Sequence, residues 1–141
     1  MKVQWIDSEN TYRIEEKLDN GQTFVMEFQE IDWNADTIYF NVYLAIYNKR
    51  TQATKDDQEA KTTGKNIFLK TWTFARQAFD LIEQELLREF NYIDNIVIYV
   101  SWSDNRRRDI YHHFLSKRGY RYGRDLDNKK VLYKKYTFGK D

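Results

Sequence analysis

Lys61-Thr62-Thr63-Gly64-Lys65-Asn66, running straight into the apolar-periodic segment Ile67 to Phe90, is the stretch that decides the fold. In the long segment Phe68, Ala75, Phe79, Ile82, Leu86 and Phe90 recur at three-to-four spacing, and Trp72 and Ala78 widen the stripe. That period predicts an amphipathic helix. A small-residue turn at the head of such a helix presents several backbone N–H groups that no carbonyl of the helix can satisfy. With the helix dipole behind them, these groups make the local geometry that holds phosphate or pyrophosphate. A single Gly with two Thr is a weak motif by itself, and a plain loop that starts a helix is the simpler alternative.

The segments on either side set the context. Upstream, Ile38 to Tyr47 alternates: Ile38, Phe40, Val42, Leu44 and Ile46 share one face of a strand, and Tyr39, Tyr43 and Tyr47 share the other. The second face is aromatic as well, which predicts a helix covering it. Thr23 to Phe28 alternates in the same way, Asp19-Asn20-Gly21 is a strong turn signal, and 32–36 holds a second turn. With residues 3–18 read as extended, the first part is an antiparallel meander of three strands. Lys49 to Lys61 is polar without periodicity and reads as a mobile loop.

Downstream, Asn95 to Trp102 is nearly continuous in apolar residues, the pattern of a strand buried on both faces. Asp104 reads as the N-cap of a second helix, Asn105 to about Lys117, and Gly119 as its stop. Tyr120–Tyr122 and Val131–Phe138 form strands around Asp125-Leu126-Asp127-Asn128. The predicted order is β-β-β-α-β-α-β-β, and helices between strands require crossovers and at least one parallel pair. The fold class is therefore α/β (α+β) with a mixed sheet.

A chain of 141 residues suits one domain. There is no cysteine, which excludes disulfides, thiolate catalysis and Cys-ligated zinc and suits a reducing, cytoplasmic setting. No signal-peptide pattern and no membrane-spanning apolar run is present. Net charge is +1, yet residues 101–141 carry 12 Lys/Arg against 5 Asp/Glu, a local excess of +7. That basic third either attracts an anion or is a solvated helix face.

This order, with these motifs, resembles the GCN5-related N-acetyltransferase (GNAT) superfamily over roughly residues 21–138, without the two helices those enzymes usually carry between their first strands. The family's phosphate turn reads Gln/Arg-x-x-Gly-x-Gly/Ala. Here Lys61 stands at the first position, Gly64 is kept, and Asn66 stands at the last. The resemblance implies that Lys61, Thr62, Thr63, Gly64, Lys65 and Asn66 bind the pyrophosphate of acetyl-CoA. A second family signature is an Asn opening a helix, then a Tyr, then Gly-Phe; Asn105, Tyr111 and Gly119-Tyr120 follow that order. It implies that Asn105 contacts the cofactor and that Tyr111 protonates the leaving thiolate. The spacing departs from the family: Tyr111 lies eight residues before Gly119, and Leu115 takes the family's distance. The Thr63-Gly64 turn, the aromatic-rich helix and Arg108-Asp109-Ile110-Tyr111 are also similar to acetyltransferase-like proteins encoded by bacteriophages, which would place the chain in a host cytoplasm.

Acetyl transfer needs a base for the amine, donors for the oxyanion and an acid for the thiolate. The resemblance implies acyl-side donors near the C-terminal end of the strand Tyr39 to Lys49. Glu27, Glu30 and Asp32 are the carboxylates open to a base's role, with solvated edge residues as the alternative. The simpler reading of Tyr111 is a packed aromatic on an amphipathic helix. His112 and His113 point about 100° apart on a helix and cannot chelate one metal as an i, i+4 pair would. Arg106-Arg107-Arg108 suits an anion such as the CoA 3′-phosphate, but opposes the dipole at its helix start. Three readings follow. One is an N-acetyltransferase using acetyl-CoA and an amine acceptor. The second is a non-catalytic protein of the same fold, acting as a binding or inhibitory module on a host or phage macromolecule, with a homodimer as one form open to it. The third, a nucleic-acid binder, is disfavoured by the near-zero net charge.

Overall fold

The computed structural model describes residues 1–47, 67–102 and 105–138, without the side chains of 67–70 and 106. The expected loop at 49–61, the turn Lys61–Asn66 and the proposed cap Asp104 lie outside the described residues. The strands are β1 (Gln4–Ile6), β2 (Thr11–Lys17), β3 (Thr23–Trp33), β4 (Thr37–Tyr47), β5 (Asn95–Val100), β6 (Arg121–Arg124) and β7 (Lys130–Thr137), and the helices are α1 (Ile67–Glu89) and α2 (Asn105–Ser116). They form a mixed, mostly antiparallel sheet in the order β1-β2-β3-β4-β5-β7-β6. Short turns join β2 to β3 and β3 to β4, and neighbours so closely linked must run antiparallel. β4 and β5 are parallel, as a helical crossover requires. By chain contacts the molecule divides into two compact units: residues 1–28 with 44–88, and residues 29–43 with 89–141.

In the first unit the extended segment expected over 3–18 is two strands. A 3-10 turn, Asp7–Glu9, breaks it, and Asn10 takes a left-handed conformation with φ 48°. Asn accepts that conformation more readily than most residues. The hairpin that follows pairs Trp5 with Tyr12, ring centroids 4.7 Å apart. The meander thus has four strands rather than three. Next, the backbone N–H of Leu18 donates to the Gln22 carbonyl (2.7 Å), closing the turn at Asp19-Asn20-Gly21. α1 buries Ala75, Ala78, Phe79, Ile82 and Leu86, the stripe its periodicity predicts. Phe79 meets Phe28 at 5.1 Å between centroids, and Phe74 meets Phe24 at 6.5 Å.

In the second unit the turn after Trp33 is held by Asn34, whose Oδ1 accepts from the backbone N–H of Asp36 (3.2 Å) and of Thr37 (3.0 Å). β5 is buried from Ile96 to Val100 and lies between β4 and β7, as a central strand should. Its parallel register with β4 runs from Thr37–Asn95 to Val42–Val100, and β4 itself continues to Tyr47. On the face of β4 that carries Tyr39, this ring stacks on Tyr99 at 6.2 Å, and Val97, Val131 and Tyr133 complete a small core. α2 ends as its sequence predicts. Gly119 sits at φ 90°, its N–H donates to the Ser116 carbonyl (3.2 Å), and the Tyr120 N–H donates to the Leu115 carbonyl (3.1 Å). Among the described residues no helix is long and apolar enough to cross a membrane.

Candidate functional site

The expected anion turn, Lys61 to Asn66, immediately precedes α1 in the chain and lies outside the described residues. The described part of α1 supplies an unexpected polar group. Thr71, one turn into the helix, occupies a stripe position four residues before Ala75 and is buried, at 8 % exposure. Among the described residues its Oγ1 has no hydrogen-bond partner. A buried hydroxyl left this way costs about 1–3 kcal/mol, and such groups in folded proteins call for a partner. In the sequence this hydroxyl follows Thr62, Thr63 and Gly64 by less than ten residues. The signal was legible as a Thr on an otherwise apolar stripe, but burial was needed to give it weight. In the second unit Asn41 on β4, paired in register with Tyr99, likewise has a buried Oδ1 with no partner among the described residues.

α2 carries the second set of expected site residues. Asn105 is its first residue and is exposed, so its side chain is open to a ligand. Tyr111 lies six positions along, roughly 9 Å up the axis and about 120° around it. The two therefore share a helix but not a face. Tyr111 is half-buried and has interactions of its own within the protein. Leu115, at the spacing where the family places its Tyr, is buried and belongs to the core.

Two residues of the arginine run, Arg107 and Arg108, have interactions within the protein. Arg108 pairs with its neighbour Asp109 at 3.1 Å, and the half-buried Arg107 is engaged elsewhere. The two histidines separate as helix geometry dictates. His112 stacks flat on Tyr122, centroids 4.8 Å apart and planes 8° from parallel, while His113 is exposed. Trp102 meets the same Tyr122 ring edge-on at 5.9 Å, and Lys130 Nζ lies 5.3 Å from its centre. No group of three or more His, Asp or Glu suited to a metal occurs among the described residues.

The three carboxylates have three different environments. Glu27 is buried on β3 and pairs with Arg13 of β2 at 3.4 Å, which commits it to the sheet. Asp32 is exposed, and its Oδ1 accepts from the backbone N–H of Trp33 (2.8 Å). Glu30 alone has no side-chain partner among the described residues. It lies on the strand parity of Phe24, Met26 and Phe28, and partial burial raises its carboxyl above the ordinary 4.5. Tyr99 is also raised, by burial first and then by Tyr39, Asp125 and Tyr133, so its phenol stays neutral at physiological pH. No family model, curated protein or solved structure matches the chain.

Proposed function

We propose that the protein binds acetyl-CoA in the manner of the GNAT superfamily and transfers the acetyl group to an amine. The observation that carries this reading is the β4–α1–β5 parallel crossover, with α1 starting directly after Asn66 and an orphaned hydroxyl at Thr71 in its first turns. The sheet order, in which β7 lies between β5 and β6, supports the same fold. In this reading the backbone amides of Thr62 to Asn66 hold the pyrophosphate, and Lys61 and Lys65 add charge. Thr71 supplies a further hydroxyl, and Asn105 contacts the cofactor from the open start of α2. Acetyl-CoA brings the activated acyl group. The chain's part is to position it, to stabilise the oxyanion with donors near the end of β4, and to protonate the thiolate from Tyr111.

A second reading has an observation of its own. Tyr111 is half-buried and engaged, Leu115 takes the family's acid position as a core residue, and Glu27 is committed to Arg13. These favour a protein that keeps the fold without the chemistry and acts as a binding module on another macromolecule. Tyr111→Phe separates the two. Loss of transfer by about a hundredfold at unchanged acetyl-CoA affinity supports catalysis, and full activity removes Tyr111 from the reaction. Acetyl-CoA binding without transfer to any amine tested supports the second reading.

A further inference from the structure

A cavity of about 260 Å³ opens in the second unit, between the end of β3, the start of β4 and the segment that follows α1. The buried Ile38 and Ile93 contribute its apolar lining. Three aromatic rings border it. Trp33 and Tyr92 are left 66 % and 75 % exposed, and Phe90 packs between Phe40 (5.7 Å) and Tyr92 (6.1 Å). Two carboxylates, Glu30 and Asp94, share the lining, which contains no Lys, Arg or His. Neither carboxylate has a side-chain partner among the described residues.

We infer that this cavity is a binding site for an organic cation, an alkylated ammonium group held by aromatic faces and neutralised by Glu30 and Asp94. The chemistry excludes the neighbouring ligand classes. A phosphate or carboxylate would meet two negative charges and no positive one. A neutral apolar ligand would strip water from the carboxylates and return nothing. A divalent ion would gain nothing from the aromatic rings, and no group of three or more His, Asp or Glu suited to a metal occurs among the described residues. An alkylammonium satisfies both halves of the lining, because its charge is spread over methyl groups that lie against ring faces. The volume falls below the roughly 300–1,000 Å³ of drug-sized sites, which restricts the occupant to a headgroup. Partial burial of Glu30 strengthens its attraction for a cation that shares its low-dielectric surroundings.

The same headgroup occurs on free small amines and on alkylated lysine side chains of other proteins. The test is titration of the full-length protein with choline and with 3,3-dimethyl-1-butanol, its uncharged isostere, followed by the Trp33 indole resonance in NMR. Saturable choline binding with the neutral isostere at least about tenfold weaker is expected. Trp33→Ala and Glu30→Gln should each weaken choline by a further fold of that order while leaving the rest of the spectrum folded. Equal binding of the isostere, no saturable shift of Trp33, or unchanged choline affinity in both variants overturns the assignment. A trimethyl-lysine peptide that binds more tightly than choline assigns the headgroup to a macromolecule, and one that binds no better assigns it to a free amine.

Discussion

Thr71→Val keeps the shape of the side chain and removes a buried hydroxyl that has no partner among the described residues. If the hydroxyl waits for a ligand, the unliganded variant should be more stable by about 1 kcal/mol and should hold acetyl-CoA about tenfold more weakly. Denaturant unfolding with and without acetyl-CoA measures both, and an unchanged affinity would show that the hydroxyl serves nothing. Glu30→Gln acts through pH. Burial raises the folded-state pKa above its unfolded value, so ionisation of Glu30 costs folding energy. The contribution is intact below the unfolded pKa and is lost as pH rises through the folded one. The Gln variant should therefore melt above the wild type at neutral pH, with the gap closing as pH falls below the ordinary carboxyl value of 4.5. A gap independent of pH would assign the effect to packing. Residues of this kind were only half legible from sequence. The parity of Glu30 with Phe24, Met26 and Phe28 could be read directly, but its lack of a partner, and the pairing of Glu27 with Arg13, depend on which strands become neighbours.

Among the elements, the β6–β7 hairpin gives the sharpest test. A Cβ on Gly123 would overlap the Tyr133 ring, whose hydroxyl accepts from Arg121 Nε (3.1 Å). Gly123→Ala must displace that ring from its packing with Val97, Tyr99 and Val131, and should cost about 1–3 kcal/mol in thermal or denaturant unfolding. A neutral result would mean that the ring swings out freely. The elements themselves were largely written in the sequence. α1 and β4 follow from periodicity, β5 from its continuous apolar run and α2 from its end signals, and Gly119 ends α2 in the conformation only Gly adopts without strain. The differences arise where the signals are mixed. Residues 3–18 hold no Gly or Pro, so the break at Asp7–Glu9 rests on a single left-handed Asn10. β3 runs on to Trp33 although its apolar parity shifts after Phe28, from Phe24, Met26 and Phe28 to Ile31 and Trp33. That tail is exposed, so neither parity faces a core, and it forms part of the proposed cation cavity instead.

At the scale of the whole molecule, the parallel β4–β5 pair within a mostly antiparallel sheet follows from the order of helices and strands. Part of the basic excess of residues 101–141 is engaged within the protein: Arg108 is paired with Asp109, and Lys134 Nζ donates to the Arg118 carbonyl (2.7 Å). Function was less legible than fold because the segment on which the proposed reading rests, Lys61 to Asn66, lies outside the described residues. The direct test is thermal unfolding of the full-length protein across an acetyl-CoA titration, with Gly64→Val alongside. A melting temperature that climbs with ligand concentration, equivalent to about 2.7 kcal/mol at a hundredfold excess over Kd, and stays flat in Gly64→Val, is the predicted result. A wild-type melting temperature that does not move at any acetyl-CoA concentration, or an equal rise in Gly64→Val, would contradict it.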